Sequence, residues 1–388
     1  RFPVVLGRAQ SFMAHGALGL LPTPADETIQ PTIIPLRWLH GRIQIGIDAI
    51  KQSMSNKGSF ARSLDFLMKR LIANITDELN RIMASGTGRG ILAFVDDTAS
   101  VGSSGDPLIV DAPGGIASDV FGTRYLQTGM VVAFTDGTTL RGVRTISSLT
   151  ESGSDNGSNI VTDAVGVYGT TWSNNDFIVR AANASITNLT RDTSLDNEPM
   201  GLEGIVDDGT LVATFQSIVR ATYTDWQATR LSVSALSLDA LQRLYDTIDQ
   251  QSGEMPTHNV VHHSIRRAYL AAADSMRIAL VQGNKPQALD IGQEPMGVKL
   301  TYNGYPVLAD RDVILGNWLA INAGHLTRFV NTEGEWADED GSVLSRIQGQ
   351  DVFEAFYRIA ENLGTDMNNS HGKLVGLSTT NAISRHVA

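Results

Sequence analysis

Two histidines, His258 and His262, stand four residues apart, the spacing at which two helical histidines hold a zinc ion. The metalloprotease form of this motif needs a Glu directly after the first histidine as general base, and Asn259 occupies that position. Pro256 and the pair Val260–Val261 favour a strand, in which side chains four residues apart lie too far from each other to bind one ion together. We therefore interpret both as ordinary histidines near a surface strand.

The glycine-rich stretch Gly86–Gly90 is a second candidate, because such loops can cradle phosphate groups. A phosphate loop follows a strand and precedes a helix, so that the positive end of the helix dipole faces the anion. Here the stretch follows the end of a helical pattern, where the dipole is negative. We predict a helix cap instead, with Gly86 in the left-handed conformation just beyond the helix.

Acidic turns are the remaining candidates for chemistry. Asp338–Gly341 resembles the start of a calcium loop but lacks the further ligands and the terminal Glu of that motif. We predict a hairpin turn there, and turns at Asp96–Asp97 and Asp207–Gly209. The sequence has no Gly-x-Ser-x-Gly motif and no Ser, His and Asp set that stands out. We predict that the protein is not an enzyme, with no catalytic residue, no cofactor and no metal site.

The composition bounds the classes of protein that remain. The chain has 388 residues, more than one compact core usually holds, and 42% of them are hydrophobic. It contains no Cys, which excludes disulfides, thiolate metal sites and a Cys nucleophile. A protein with a net charge of −11 does not bind nucleic acid with its whole surface. Any contact with DNA would be local, or the protein would only enclose the DNA. No run approaches the roughly 18 apolar residues that cross a bilayer, so we expect no membrane contact.

The first half of the chain predicts a long flap, a long helix and a β-rich segment. Pro3–Leu21 and Thr32–Ile50 read as two extended arms of a two-stranded flap. Ser59 is a plausible N-cap of a helix that ends at Ala84. The segment 96–198 is rich in turn residues, and Asp136–Gly137 predicts a hairpin. The helix has one apolar face, formed by Phe60, Leu64, Leu67, Leu71, Ile75, Leu79 and Ile82.

The second half predicts an α/β lobe followed by strands. Ser237 caps a helix that runs to Ile248, and a second helix starts near Ser264. A hairpin at Asp340–Gly341 would join Arg328–Val330 to Val343–Arg346. The run Asp351–Leu363 fits a helix or a buried strand equally well by its apolar pattern.

The order of these parts resembles that of the major capsid proteins of tailed bacteriophages, which share the Hong Kong 97 fold with encapsulins. The segments that carry the resemblance are Gly86–Leu92, Leu236–Ile248, Pro256–Val261, Asn303–Leu308, Trp336–Gly341 and Lys373–Leu377. In that family the flap is the E-loop, the long helix is the spine of the P domain, and the α/β lobe is the A domain. The resemblance implies that Asp351–Leu363 is a long strand and that the last two segments are closing P-domain strands.

The resemblance implies an α+β fold of the Hong Kong 97 type with an inserted β-rich domain. The implied divisions are 1–55 (residual N-terminal arm and E-loop), 56–95 (P-domain spine helix), 96–198 (inserted β-rich domain), 199–320 (A domain) and 321–388 (P-domain strands and C-terminus). Since the sequence begins at Arg1 rather than Met, trimming of a preceding segment during maturation is a further expectation.

The implied function is a major capsid protein that assembles into pentamers and hexamers of an icosahedral phage head around double-stranded DNA. The implied partners are copies of itself, the portal, a scaffolding or maturation protease, a candidate decoration protein and non-specifically contacted DNA. The location would be the virion, assembled in the host cytoplasm. The charges that we expect to screen the DNA from the shell wall are on the spine helix: Arg62, Lys69, Arg70 and Arg81 against Asp65, Asp77 and Glu78.

Three alternatives stay open at this stage. The first is an encapsulin-like bacterial compartment, against which the β-rich insertion and the chain length count. The second is a zinc-dependent hydrolase that uses His258 and His262. The third is a monomeric adhesin built on the β-rich middle. Metal content and the state of assembly separate these classes.

Overall fold

The structure is a computed structural model. It describes residues 2–7, 9, 11–15, 20–48, 57–96, 108–113, 121–150, 159–162, 173–280, 293–294, 297–298, 300–338 and 341–378. The side chains of residues 57–64, 150, 159–162, 274–280, 293–294 and 297–298 are not part of that description.

The helices and strands follow the chain in this order. The α-helices are α1 (Lys57–Ser85), α2 (Leu189–Asp192), α3 (Leu202–Ile205), α4 (Leu238–Ser252) and α5 (His263–Leu280). The strands are β1 (Phe2–Gly7), β2 (Thr28–Thr32), β3 (Arg37–Gly46), β4 (Ile91–Val95), β5 (Leu108–Asp111), β6 (Val131–Thr135), β7 (Leu140–Thr150), β8 (Asn159–Thr162), β9 (Phe177–Arg180), β10 (Thr214–Phe215), β11 (Ile218–Val219), β12 (Thr229–Ser232), β13 (His258–Val261), β14 (Gln293–Glu294), β15 (Gly297–Val298), β16 (Thr301–Tyr302), β17 (Tyr305–Ala309), β18 (Trp318–Ile321), β19 (Leu326–Trp336), β20 (Ser345–Arg346), β21 (Val352–Thr365) and β22 (Gly372–Val375).

The predicted long helix is confirmed as α1, which at roughly 1.5 Å per residue is about 43 Å long. It begins at Lys57, so Ser59 lies inside the helix and is not its N-cap. Of the predicted apolar face, the side chains of Phe60 and Leu64 lie outside the described part, and among the other five only Ile75 and Ile82 are buried, both in the second half of the helix. The rest of the chain therefore leaves the middle of α1 largely exposed.

A long sheet is built around β21. β3 pairs antiparallel along one edge of β21, from Arg37 opposite Glu361 to Gly46 opposite Val352, while β19 and β20 share the other edge. α1 crosses β3 so closely that a Cβ on Gly41 would lie 2.2 Å from Ile75 Cδ1. The strand that the resemblance implied for 351–363 is thus confirmed, because a strand with partners on both edges suits its aromatic and β-branched residues.

Two sequence-based pairings in this region are wrong. The arms at the start of the chain do not pair with each other: β1 pairs with β2, Val4 opposite Gln30, and β3 pairs with β21. The predicted hairpin across Asp340–Gly341 does not form either, since β19 and β20 both pair with β21. β21 has 14 residues, so it offers β3, β19 and β20 a longer ladder of backbone hydrogen bonds than a strand that is close in the sequence would.

A closed barrel, in the order β4-β5-β8-β7-β6-β9, follows α1. Its interior is filled by apolar side chains, among them Leu92, Leu126, Phe134 and Ile178, which are fully buried. The hairpin predicted at Asp136–Gly137 is confirmed between β6 and β7. The barrel takes in β4, which the sequence-based division placed with the spine helix.

A six-stranded mixed sheet, in the order β12-β22-β18-β13-β17-β16, forms the α/β lobe. α4 packs against it through Leu241, Leu244 and Ile248. The predicted cap is confirmed, because the Ser237 side chain accepts a hydrogen bond from the Ala240 backbone N–H. The resemblance assigned β22 to the P-domain strands; in the structure it belongs to this sheet, with Lys373 opposite Leu319 of β18. The last strand therefore ties the end of the described chain to the lobe.

In the part of the chain that the structure describes, no helix has both the length and the apolar composition to cross a membrane.

Candidate functional site

The two candidate metal ligands face different partners. His258 begins β13, and its Nδ1 lies 2.9 Å from Thr257 Oγ1. His262 follows the strand and caps α5, where the Ser264 backbone N–H donates to its Nδ1 at 3.2 Å. Among the described residues, no three His, Cys, Asp or Glu side chains converge in a way that could hold a metal ion. The geometry gives the zinc hypothesis no support.

The glycine-rich stretch closes the junction between α1 and the chain that returns from the barrel. The prediction that Gly86 is left-handed is wrong; Gly88 and Gly90 have positive φ instead, at 77° and 72°. Gly86 is required for space, because a Cβ there would lie 2.3 Å from the Ile82 carbonyl oxygen. The Gly86 carbonyl in turn accepts backbone hydrogen bonds from Gly201 and Gly204. The stretch is a backbone-to-backbone joint rather than a phosphate loop.

The predicted turn at Asp207–Gly209 is confirmed, and its first residue does more than form a turn. Asp207 Oδ2 accepts hydrogen bonds from the backbone N–H groups of Gly209, Leu211 and Val212 at 2.9 to 3.1 Å. Its side chain is fully buried. Of the other acidic turns, Asp97 and residues 339–340 lie outside the described residues, and Gly341 donates a backbone hydrogen bond to the Asp338 carbonyl.

Asp207 belongs to a buried ionic cluster of two acids and two bases that sequence reasoning missed. Lys373 Nζ lies 2.7 Å from Glu203 Oε1 and 3.2 Å from Asp207 Oδ1. Arg220 lies 3.5 Å from Asp207 Oδ2 and also donates to the carbonyls of Gly204 and Ile205. The cluster joins α3 and the turn after it to β22. A single Lys inside a short apolar strand was the signal that could have revealed it.

In this cluster the neighbouring charges act against the effect of burial on the pKa of Asp207 and of Arg220. Burial alone would raise the pKa of Asp207, but Lys373, the backbone N–H groups and Arg220 outweigh it and lower that pKa. Burial lowers the pKa of Arg220 to about 10, with Asp207 acting in the opposite direction. Since removal of one partner leaves an uncompensated buried charge, the cluster locks the lobe to the segment that follows the barrel.

A second buried pair stands at the end of α1. The Arg81 guanidinium contacts Glu198 and Glu78, and both Arg81 and Glu198 are at least nine-tenths buried. Burial lowers the pKa of Arg81, yet Glu198 and Glu78 outweigh this effect and raise it. Arg81 is therefore unavailable to DNA, which corrects the set of helix charges expected to face it. Lys69 pairs with Asp65 on the exposed surface, and the side chain of Arg62 lies outside the described residues.

Several large apolar side chains are exposed, and the most exposed of them lie between β1 and β2 and on α1. Phe12, Leu20 and Leu21 lie in the segments between β1 and β2 that have no regular secondary structure, and they are 77% to 89% exposed. On α1, Phe66 is 63% exposed. Exposed apolar side chains gathered on extended elements mark surfaces that another chain covers.

Comparison with solved structures decides the fold. The capsid asymmetric unit of cyanophage A-1(L) matches over 97% of this chain and 87% of that chain, with 11% sequence identity and a TM-score of 0.52. The chain has the Hong Kong 97-type capsid fold. At this level of identity the likeness establishes the fold alone, and it confirms the fold class predicted from the sequence.

Two other solved structures match this Hong Kong 97-type chain at lower similarity. The capsid of a native GTA particle covers 97% of this chain and 84% of that chain, at 10% identity and a TM-score of 0.42. The structure of Gordonia phage Cozz covers 97% and 80%, at 6% identity and a TM-score of 0.43. No protein-family model matches the sequence, and no curated protein matches it.

Within the Hong Kong 97-type fold, α1 is the long spine helix, and it crosses the long sheet around β21. The α/β lobe around β13 and β18 is joined through the ionic cluster at Lys373 to α3 and the turn after it. The divisions drawn from the sequence, including the inserted domain, stay predictions.

Proposed function

We propose that the protein is the major capsid protein of a tailed bacteriophage. It would assemble as pentamers and hexamers into an icosahedral head that encloses double-stranded DNA. The observation that carries this proposal is the likeness to the cyanophage capsid subunit along nearly the whole of both chains, 97% and 87%. A match confined to one lobe would speak for a shared module, whereas this one includes the extended elements.

The exposed apolar surface supports assembly on physical grounds. Each of Phe12, Leu20 and Leu21 leaves more than three quarters of its surface in water in the isolated chain. Covering a fully exposed side chain of this kind contributes about 1.5–3 kcal/mol. Obligate interfaces bury about 2,000 Å² or more, and an extended segment that reaches over a neighbour supplies such area without a large core. We propose that the described residues between β1 and β2 (9, 11–15 and 20–27) lie on an adjacent subunit.

The long sheet supports the same reading. Among the described residues, β3 and β19 pair only with β21, so that each leaves its outer edge without a backbone partner. Unpaired edges of ten and eleven residues are templates for pairing with another chain. In a shell these edges meet neighbouring subunits.

The remaining partners belong to the same proposal. We expect contacts with a portal and with a scaffolding or maturation protease during assembly in the host cytoplasm, and the barrel is the surface on which a decoration protein would bind. DNA would be enclosed and contacted without sequence specificity. In this role the protein is a structural component of the virion and has no catalytic function.

The test is the assembly state of the purified full-length chain, measured by sedimentation and negative-stain imaging. We expect closed icosahedral shells. The variant Leu20→Ser/Leu21→Ser should remain soluble but fail to close shells, while Met255→Ser/Leu308→Ser, which removes two partly exposed apolar side chains of the lobe, should assemble normally. A stable monomer under all conditions would favour the adhesin alternative, and particles filled with enzyme cargo instead of DNA would favour an encapsulin.

A further inference from the structure

A cavity of about 530 Å³ opens beside the first turn of α5. It lies where this turn meets residues 121–124 and 311–315. Six basic side chains line it: Arg124, Arg266, Arg267, Arg311, His262 and His263. We call this cavity the arginine pocket. Such a concentration of positive charge stands out in a chain whose net charge is −11.

The acid in the pocket lining is already engaged. The carboxylate of Asp312 accepts hydrogen bonds from Asn80 Nδ2 at 2.8 Å and from Arg311 Nε at 3.2 Å, and its side chain is buried. Arg311 also reaches Asp77 at 2.7 Å. By contrast, neither Arg266 nor Arg267 has a carboxylate within ion-pair distance in the described part of the chain. The positive charge of these two guanidinium groups is thus left without a neutralising partner in that region.

One buried nitrogen atom in the lining lacks an acceptor. The Nε of Arg266 is buried and has no hydrogen-bond partner among the residues that the structure describes. His262 is 93% buried, and its Nδ1 accepts the Ser264 backbone N–H, which places the proton of the neutral ring on Nε2. Within the described residues that Nε2–H finds no acceptor. A buried donor without an acceptor costs about 1–3 kcal/mol, so the Arg266 Nε indicates a missing partner that accepts hydrogen bonds.

Besides burial, the basic side chains around the pocket lower the pKa values of its two histidines. Burial, then Arg124, His263 and Arg267, lower the pKa of His262 to about 3. Burial, then Arg266, lower the pKa of His263, and the carboxylate of Asp310 acts against this shift. Both rings are therefore neutral near pH 7. The pocket presents guanidinium charges and neutral N–H donors at the N-terminal end of an 18-residue helix, whose dipole adds further positive potential.

These features select the chemistry of the ligand. An acceptor-only anion satisfies groups that can only donate, and guanidinium groups match the oxygen atoms of phosphate in bidentate pairs. A single carboxylate would satisfy one arginine, whereas a phosphate group has three or four oxygens for several donors. We propose that the arginine pocket binds a phosphate group, either free or as a phosphodiester of a nucleic acid. The inference does not depend on shell assembly.

The experiment is calorimetric titration of the full-length protein, at constant ionic strength, with pyrophosphate and with a short DNA duplex. The test variant is Arg266→Gln/Arg267→Gln. The control is Arg191→Gln/Arg346→Gln, which removes the same charge from two arginines that are 74% and 65% exposed and already paired with aspartates. We expect saturable pyrophosphate binding that weakens about tenfold or more in the test variant, because two charge-assisted contacts are lost, and stays unchanged in the control.

Each outcome decides the proposal or the source of the phosphate. Absence of saturable pyrophosphate binding, or an equal loss in the control, would overturn it. Given a site-specific loss, competition between duplex and pyrophosphate identifies a phosphodiester ligand, and failure to compete identifies a free phosphate. If the double variant does not fold, Arg267→Gln alone serves, since Arg267 is exposed, and it should weaken pyrophosphate binding severalfold. Unweakened binding in a folded Arg267→Gln variant would count against the pocket.

Discussion

Lys373 and Glu203 form a fully buried ion pair, with Nζ 2.7 Å from Oε1, although 170 residues separate them in the chain. The same ammonium group lies 3.2 Å from Asp207 Oδ1, and Asn317 donates a hydrogen bond to Glu203 Oε1 at 3.0 Å. This relationship fixes β22, the last strand of the lobe, to the segment that follows the barrel. Here charge adds to the apolar packing of Ile205 and Val206 against Leu319 and Ile321.

Replacing Lys373 with Met should destabilise the protein strongly. The substitution leaves Glu203 and Asp207 buried near Arg220 alone, and breaking a buried pair by removing one partner costs about 3–5 kcal/mol. The matched control is Lys69→Met, which breaks the exposed Lys69–Asp65 pair and should cost at most about 1 kcal/mol. Denaturant unfolding of the unassembled subunit measures both. Equal midpoints for the two variants would show that the cluster contributes no more than a surface pair.

A Cβ at Gly201 should also be destabilising, for steric reasons. It would lie 2.1 Å from the Ile82 carbonyl oxygen and 2.8 Å from the Gly86 carbonyl oxygen, and neither backbone atom can move without disturbing the end of α1. We expect Gly201→Ala to lower the free energy of unfolding by about 1–3 kcal/mol, as overpacking does. Gly46→Ala is the control, because a Cβ there meets nothing within 4 Å. A Gly201→Ala variant as stable as the control would mean that the joint between α1 and Gly201 is loose.

The boundaries of the barrel can be tested by deletion. Gly90 and Ser194 are adjacent in space, since Ser194 Oγ donates to the Gly90 carbonyl at 3.1 Å. Removing residues 91–193 and joining these two through a short Gly/Ser linker keeps the buried Arg81–Glu198 pair. We expect this variant to be soluble, with the six-stranded sheet intact by circular dichroism.

Removing 96–198, the segment that the sequence suggested, should fail instead. That deletion takes away Glu198 and leaves Arg81 as an uncompensated buried charge. It also exposes Leu92 and Val95 of β4, which lose their barrel neighbours. Equal solubility of the two deletions would contradict this account, and loss of both would make the barrel part of the core rather than an insertion.

The sequence predicted features that depend on neighbours in the chain. The cap at Ser237, the hairpin at Asp136–Gly137 and the extent of α1 all follow from local periodicity and turn chemistry. It did not predict the pairing of β3 with β21, whose members lie about 300 residues apart, because backbone ladders carry no signature of a distant partner.

The same limit applies to the candidate sites. The strand predicted around Val260 is confirmed as β13, which begins at His258, but the sequence could not reveal that His262 lies beside Arg124, which folding brings to it. Likewise, the face of α1 contains seven regularly spaced apolar residues, while of the five whose side chains the structure describes, the chain buries only Ile75 and Ile82. Periodicity indicates that a face will be buried and does not identify the covering chain.

Stability should depend on pH through His371. Burial, then His325, lower the pKa of this ring to about 3, while Asp366 acts in the opposite direction, and the ordinary value is 6.5. Between these two values the unfolded chain binds a proton that the folded chain excludes. The free energy of unfolding therefore falls as pH decreases from 6.5 toward 3. His262 contributes in the same direction, and the raised pKa of His325 in the other.

The variant that isolates this effect is His371→Gln, which preserves an acceptor for the Asn322 backbone N–H. We expect its free energy of unfolding to depend less steeply on pH across this range than that of the unmodified chain. The control is His40→Gln, the same substitution at an exposed histidine of β3. Urea unfolding at a series of pH values measures the slope. If His371→Gln retains the full slope, the titration arises from another group.

Loss of an apolar side chain should have different effects at Ile82, near the end of α1, and at Phe66, in its first half. Ile82 is fully buried, so Ile82→Ala leaves a cavity and should cost about 2–5 kcal/mol in the unassembled subunit. Phe66 is 63% exposed, so Phe66→Ala should change subunit stability by no more than about 0.5 kcal/mol.

If another subunit covers Phe66 in the shell, that same variant should raise the protein concentration needed for assembly, measured by light scattering. Ala73→Ser, on an exposed turn of the same helix, is the control for a harmless change. Normal assembly of Phe66→Ala would show that this stretch of α1 faces solvent in the particle, and the exposed apolar surface that drives assembly would then have to lie in the segment around Leu20 and Leu21.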